Sequence, residues 1–474
     1  MTDAIGIEAV GTYVPRRRLS AEAVTEAWNR FDGAGIRQTS VPGPDEDSLT
    51  MAAEAARRAL DESDVEPSDL EALVFATTTP PLEESDLSVR LGEFLGVDED
   101  ATHTLLTGST NAGVRALTTA LADDDGPTLV VASDAPRGKP DSALDHAAGA
   151  GAAAFVLVPD GPAAIVDRAD YASDYPGTRF REPGSTTVDS LDITPYDRSA
   201  YTETIRGAVE NLDVDPSSMD VVVLQAPNGG LPYRGAKAIG VPSDVVESHA
   251  IVHDLGDLGA ASVPLSLANA LVDGADRVLA VGYGSGATAT ALSVEQSGPV
   301  TGEVDLEGEE SISYTAYLRL RGEITNGEPA GGGAYVSVPS WKRSSPQRYR
   351  LEAGRCPACD ALNFLPRGAC RRCHELVEYE PAQLEPCGTI EAVSVISQGG
   401  APPEFAELQA RAGDYATAIV AFDGTDGGVA SAPLLVVGTD PNSVAVGDRV
   451  EATVRRIYTQ EGVTRYGLKV RPVD

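Results

Sequence analysis

Residues 356–373 read Cys-Pro-Ala-Cys-Asp-Ala-Leu-Asn-Phe-Leu-Pro-Arg-Gly-Ala-Cys-Arg-Arg-Cys. Two Cys-x-x-Cys pairs, Cys356 with Cys359 and Cys370 with Cys373, are separated by ten residues. Each pair can present two thiolates from one tight knuckle, and two knuckles complete a tetrahedral site with no position open to substrate. The spacing points to a structural zinc ion held by Cys356, Cys359, Cys370 and Cys373. A redox dithiol and an iron centre of the same four-sulfur geometry compete with it. Neither pair opens a helix in a βαβ setting, which counts against the redox reading. His374 reads as a neighbour of the last ligand, and the solitary Cys387 as a small core residue.

The chain changes character on either side of this stretch. Upstream, β-like and α-like segments alternate. Ile5 to Val14, Leu73 to Thr78, Thr128 to Ser133 and Gly149 to Val158 read as strands, with helices at Ser48 to Leu60 and Asn111 to Ala122. The pattern recurs with a helix at Tyr201 to Leu212, a strand at Met219 to Leu224, a helix at Ala261 to Val272, and strands at Arg277 to Gly282 and Ala287 to Val294. Such alternation predicts an α/β sheet protein in two similar halves meeting near residue 160. Gln296 to Pro339, with its Gly331-Gly332-Gly333 run and one helical patch at Tyr314 to Arg321, reads as a linker partly packed on the body. Downstream, Thr389 to Ser397, Ala416 to Phe422, Leu434 to Val437, Arg449 to Tyr458 and Thr464 to Val470 predict five short strands, which suit a small closed barrel such as the OB-fold. The expected division is 1–160 and 161–322 for the two halves, 323–345 for a linker, 346–376 for the zinc ribbon and 377–474 for the barrel.

Acidic residues outnumber basic ones 72 to 36 over 474 residues, a net charge of −36. So acidic a surface repels nucleic acid and anionic membrane, which excludes both as partners. The acid is spread along the whole length, against a disordered acidic tail. A protein of a high-salt cytoplasm accounts for it, since salt screens the self-repulsion; an ordinary acidic mesophilic protein is the alternative. No apolar run approaches the roughly 18 residues needed to span a bilayer. Met1-Thr2-Asp3-Ala4 lacks the basic-then-apolar pattern of a signal peptide, and clustered cysteines without one favour metal over disulfides. The expectation is a soluble, cytoplasmic protein.

Two resemblances follow. Trp341-Lys342-Arg343, Arg350-Leu351, the two knuckles with Phe364-Leu365-Pro366-Arg367 between them, Gly388-Thr389-Ile390, Asp414-Tyr415 and Val446-Gly447-Asp448-Arg449-Val450 are similar to the zinc-ribbon/OB-fold proteins that accompany archaeal thiolases and 3-hydroxy-3-methylglutaryl-CoA (HMG-CoA) synthases. That resemblance covers about 341–474 and implies a non-catalytic module that bridges partner enzymes and contributes to coenzyme A binding. Six stretches of 1–322 resemble HMG-CoA synthase and, more distantly, ketoacyl-ACP synthase III. They are Gly11-Thr12-Tyr13-Val14-Pro15, Gly149 to Ala154, Pro227-Asn228-Gly229-Gly230, Gly256 to Pro264, Tyr283-Gly284-Ser285-Gly286-Ala287 and Tyr314 to Gly322.

The family's chemistry needs a thiolate to carry the acyl group, a carboxylate to move a proton and a histidine at the thioester. All five cysteines lie between 356 and 387, so the body has none. Matching the family's motifs puts Thr110 at the cysteine, Thr78 at the glutamate and Gln225 at the histidine, while Asp257 replaces an asparagine of the ketoacyl synthases. Ser109 or Thr110 could serve as a hydroxyl nucleophile at a helix start, but a hydroxyl needs a neighbouring base, and either could simply cap the helix. His253-Asp254 adjoins the Asp257 loop; Arg137 and Lys139 could reach a CoA phosphate or stand in exposed ion pairs. The resemblance assigns ligand contact to Asn228, Gly229, Gly284, Ser285 and Gly286, which otherwise make turns. It implies acyl-CoA as ligand, a thiolase subunit as partner and a homodimer. The expectation is a non-condensing, CoA-associated scaffold or regulator; an active acyltransferase using Ser109, Thr110 or partner-supplied residues is the alternative.

Overall fold

The computed structural model describes residues 5–121, 126–325, 336–397 and 401–473. Ala122 and the Gly331-Gly332-Gly333 run lie outside the described residues. Two compact units emerge. One takes the chain to Gly43 and then Asp47–Tyr317; the other comprises Pro44–Glu46 and Leu318–Asp474. No helix among the described residues is long and apolar enough to cross a membrane.

Among its described residues the first unit holds thirteen strands: β1 Ile5–Tyr13, β2 Arg17–Ser20, β3 Gln38–Val41, β4 Ala72–Ala76, β5 Thr102–Leu106, β6 Thr128–Asp134, β7 Gly151–Pro159, β8 Ala163–Tyr175, β9 Val221–Leu224, β10 Arg277–Gly284, β11 Gly286–Gln296, β12 Thr301–Glu303 and β13 Glu310–Ile312. Ten form one sheet in the order β5-β4-β6-β7-β1-β8-β11-β10-β9, with β12 also paired to β1. The halves mirror each other in pairing. β4 runs parallel to β5 and β6, and β10 runs parallel to β9. In each half an antiparallel strand follows inward, β7 on β6 and β11 on β10. This is the α/β architecture of two similar halves that the alternation predicted.

Sequence reading missed β5, which has no buried residue, and β8, whose alternating exposure dilutes the apolar signal. It also read a linker from Gln296. There β12 lies parallel to β1 and β13 parallel to β2, so Thr301–Glu303 and Glu310–Ile312 are strands of the unit's sheets, within a stretch expected to be only partly packed on the body.

The core is lined by small residues where layers approach closely. Helix Ser48–Asp61 is capped by an Asp47/Thr50 box and buries Ala52, Ala53, Ala55, Ala56 and Ala59. Helices Ala112–Ala120 and Ser262–Val272 share one buried apolar cluster with strands of both halves. A Cβ at Gly113 would stand 1.8 Å from the Ala260 carbonyl oxygen. Glycine there is what lets the central helix touch the 259–261 turn.

The second unit has strands β14 Glu352–Arg355, β15 Leu362–Asn363, β16 Glu380–Ile396, β17 Tyr415–Gly424, β18 Val429–Val436, β19 Arg449–Gln460 and β20 Val463–Pro472. The last five close on themselves in the order β16-β17-β18-β20-β19, with β19 returning to β16. The five-strand barrel expected from the sequence is therefore present. Its first strand begins earlier than its apolar pattern suggested. Residues 380–383 of β16 pair with β14 of the ribbon before the same strand enters the barrel at Leu384. Cys387 lies on β16 opposite Glu451 and is half-buried, so it is not the core residue expected.

Candidate functional site

Because β4 and β6 are parallel neighbours, their C-terminal ends lie together. β4 runs out into Thr77-Thr78-Thr79, and β6 ends on Asp134, which is fully buried. The three threonines turn onto this one carboxylate. Asp134 Oδ1 accepts Thr77 Oγ1 at 3.1 Å, Thr78 N at 2.9 Å, Thr79 N at 2.8 Å and Thr79 Oγ1 at 2.6 Å. Oδ2 accepts Thr78 Oγ1 at 2.6 Å and Ala260 N at 2.8 Å. Donors from both halves thus compensate a charge that burial would otherwise make costly.

The same turn carries Asp257. Its Oδ1 accepts Gly259 N at 2.9 Å, and its Oδ2 is ion-paired with Arg179 Nη1. Burial opposes the Arg179 charge, but the carboxylates of Asp257 and Asp134 outweigh it, so its pKa lies above the ordinary arginine value. Arg181 Nη2 donates to the Thr78 carbonyl. Gln225, 1% exposed, donates from Nε2 to the Gly259 carbonyl at 2.8 Å; its Oε1 is buried without a hydrogen-bond partner.

Thr110 precedes helix Ala112–Ala120 and donates from Oγ1 to the Tyr283 carbonyl at 2.7 Å. Neither candidate caps this helix in the usual way: Asn111 is the N-cap residue and makes no side-chain cap. Ser109 Oγ accepts from Asn111 N at 3.4 Å. A Cβ at Gly284 would fall 1.8 Å from Ser109 Oγ, so glycine is required for this approach. Ser285 and Gly286 make the turn between β10 and β11, with Gly286 at φ +79°.

Asn228 and Gly229 sit elsewhere on the same unit. Asn228 Oδ1 accepts Gly230 N and Leu231 N at 2.9 and 3.1 Å, opening helix Leu231–Ile239. Gly229 N donates to Ala34 O at 2.9 Å. His253 is engaged at both ring nitrogens, Nε2 with Tyr233 Oη at 2.7 Å and Nδ1 with the Gly35 carbonyl at 2.5 Å. Lys139 stands in an exposed ion pair with Asp189.

Sequence reasoning brought Thr78, Asp257 and Gln225 to attention but missed Asp134, Arg179 and Arg181. For Asp134 a signal existed: a lone carboxylate closing a buried apolar strand. Arg179 and Arg181 lie in an irregular loop and carried none.

In the second unit, the ligand atoms of Cys356, Cys359, Cys370 and Cys373 all lie within 4.8 Å of one another. Sγ–Sγ distances are 3.8 Å for Cys356–Cys373 and 3.6 Å for Cys359–Cys370. Four sulfurs at about 2.3 Å from one tetrahedral zinc would stand about 3.8 Å apart, and a disulfide would need about 2.05 Å. The donor set fits a metal and not a disulfide. Backbone N–H groups of Cys373 and Arg372, with the Asn363 amide, draw the Cys370 thiol down to about 6, while the crowding of neighbouring sulfurs pushes Cys373 up to about 12, as befits four thiols that can all ionise only around a cation. His374 is exposed and stands outside the cluster.

Residues 343–378 match the ChsH2, rubredoxin-like zinc ribbon domain, and 209–296 match the 3-oxoacyl-(acyl-carrier-protein) synthase III C-terminal domain. The hydroxymethylglutaryl-CoA synthase of Methanopyrus kandleri is 29% identical over 357 residues, covering 69% of this chain and 97% of that protein. A crystal structure of HMG-CoA synthase complexed with CoA superimposes with TM-score 0.60 at 18% identity, covering 70% of this chain and 94% of that one. The HMG synthase of the curacin biosynthetic pathway, in complex with acetyl donor-ACP, gives TM-score 0.59 at 20% identity, covering 67% and 88%. The chain therefore joins an HMG-CoA synthase-like body of thiolase fold, with archaeal homologues, to a ChsH2-type zinc ribbon and a small five-strand β-barrel.

Proposed function

We propose that this protein is a CoA- or acyl-CoA-binding scaffold or regulator that does not condense. Its thiolase-like body would keep a CoA site, and its zinc ribbon and barrel would dock a partner enzyme, a thiolase subunit above all. One observation carries the reading: the first 355 residues contain no cysteine. Acyl transfer through a covalent enzyme intermediate needs a nucleophile with a base beside it. At the position the resemblance assigns to the nucleophile, the Thr110 hydroxyl proton is given to a backbone carbonyl. At the histidine position, Gln225 can neither take up nor release a proton at neutral pH. The family's glutamate position, Thr78, carries a hydroxyl bound to Asp134.

Zinc is the occupant we assign to the four thiolates, and CoA contact to the Ser109–Gly284 neighbourhood with Ser285 and Gly286. Asn228 and Gly229 remain candidates through the resemblance. The charge of −36 is the ground for placing it in a high-salt cytoplasm, and the homodimer rests on the resemblance alone.

The active-acyltransferase reading rests on Ser109, which is only partly buried beside Gly284. Intact-mass analysis after incubation with acetyl-CoA in concentrated salt separates the two. An acetyl adduct mapping to Ser109 or Thr110 would sink the non-condensing reading. CoA binding by calorimetry without an adduct is the expected result.

A further inference from the structure

Between β8 and helix Thr194–Glu210 the chain makes an irregular excursion, 176–193, that is fastened to itself. Phe180 and Asp189 exchange both backbone hydrogen bonds, at 2.9 and 2.8 Å, and Leu191 N donates to the Gly177 carbonyl at 3.0 Å. Outward, besides Tyr196 Oη on the Pro176 carbonyl at 3.1 Å, it is tied to the first half of the unit and to the 257–261 turn. Val188 N donates to the Arg137 carbonyl at 2.7 Å, Lys139 pairs with Asp189, Arg181 reaches the Thr78 carbonyl, and Arg179 pairs with Asp257.

These ties are unequal. The Lys139 and Asp189 side chains are 64% and 43% exposed, so their pairing contributes little and is screened by salt. Arg179 and Asp257 are 15% and 5% exposed. Lifting Arg179 away would leave the Asp257 carboxylate buried with no counter-ion and the Gly259 N–H still donating to it, a state that costs far more than the pair itself gains.

We propose that 176–193 is an autoinhibitory strap, locked across the polar centre by the Arg179–Asp257 ion pair. Arg179 is the internal counter-ion that an aspartate at 257 demands. A neutral residue there removes that demand, so residue 257 sets how firmly the strap is held. Closure of a CoA site by the strap rests on the reading proposed above; the lock itself does not.

The test uses the full chain with Asp257→Asn, digested briefly with trypsin under native conditions. Cleavage between Arg179 and Phe180 needs the Arg179 side chain to leave its partner. The expected result is cleavage about tenfold faster than in the unsubstituted protein, the signature of a local opening made easier, with the bond after Arg206 in helix Thr194–Glu210 cut no faster. Equal resistance at Arg179 in a folded variant overturns the lock. Should D257N melt early by circular dichroism, the D257N/R179Q double variant, scored by trypsin after Arg181, asks the same question with no buried charge left over. Faster cutting there supports the lock, and unchanged cutting overturns it. CoA titrated into the same proteins should bind the unlocked variant more tightly. CoA binding to neither protein would count against the functional reading, leaving the lock to stand or fall by cleavage.

Discussion

Thr78 Oγ1 donates to Asp134 Oδ2 at 2.6 Å, one of six hydrogen bonds that this single buried carboxylate accepts. The carboxylate comes from the end of β6 and the hydroxyl from the end of β4, while Ala260 N reaches it from the other half of the unit. Asp134 therefore holds together the place where the halves meet. Replacing it by alanine takes the acceptor from three hydroxyls and three backbone N–H groups, of which Thr79 N keeps Thr77 Oγ1 at 3.1 Å. We expect Asp134→Ala to destabilise the first unit by about 3–5 kcal/mol, seen as an earlier thermal transition. A midpoint within a degree or so of the parent would show that water replaces the carboxylate without loss.

Thr110→Cys puts a thiol at the start of helix Ala112–Ala120. Alone it should acquire acetyl from acetyl-CoA only slowly, because no base is supplied by Gln225. Adding Gln225→His should speed acylation by on the order of a hundredfold. Mass spectrometry over time reads both. An inert double variant would mean that the acyl donor cannot reach this helix start.

Zinc bound by the ribbon should appear as one ion per chain in elemental analysis of protein prepared without chelator. Structural zinc sites of this kind contribute apparent binding free energies of about 10 kcal/mol or more. Cys370→Ser should therefore abolish stoichiometric zinc and lower the thermal stability of the second unit. Iron in place of zinc would favour the competing four-sulfur reading.

Lys469 on β20 is fully buried, and its Nζ donates to Asp45 Oδ2 at 2.9 Å. Burial lowers its pKa, and the Asp45 carboxylate only partly restores it. Lys469→Met leaves Asp45 in place and should cost about 3–5 kcal/mol. Adding Asp45→Leu should recover much of the loss, since a buried pair replaced by apolar groups is often neutral. A double variant no better than the single would place the cost in packing. Chemical denaturation of the three variants provides the comparison.

His146 accepts Asp32 N at its Nδ1, 3.0 Å away, and stacks on Phe31 at 5.4 Å between ring centres. Burial lowers its pKa below the usual 6.5, against the opposing pull of Asp145 and Asp141. The unfolded chain then takes up a proton that the folded one refuses. Stability should fall as pH drops below about 6.5 and level off beneath the folded pKa. His146→Gln should flatten that part of the profile, measured as thermal midpoints between about pH 7.5 and 5.5. An unchanged slope would assign the loss to other groups.

Much of this architecture was legible in residue order. The apolar runs Leu73–Thr78 and Thr128–Ser133 announced β4 and β6, and three of the five barrel strands began within a residue of expectation. The 17-residue β16 was harder, because three of its first four residues are exposed and all four pair with the ribbon, not the barrel. Arg179 was invisible: an arginine in an acidic chain reads as an exposed ion-pair partner, and nothing near it in sequence points to Asp257.

Residue order alone settles which chemistry is available. A body without a cysteine has no thiolate wherever its loops fall, and two Cys-x-x-Cys knuckles need only a short turn each to converge. Those are statements about composition and local geometry. The pairing of Thr78 with Asp134, and of Arg179 with Asp257, spans 56 and 78 positions. Such partners meet only because strand order puts the ends of β4 and β6 side by side and brings a loop from beyond β8 against the 257–261 turn. Burial there makes each charge take the partner within reach, and no periodicity along the chain records which one that is.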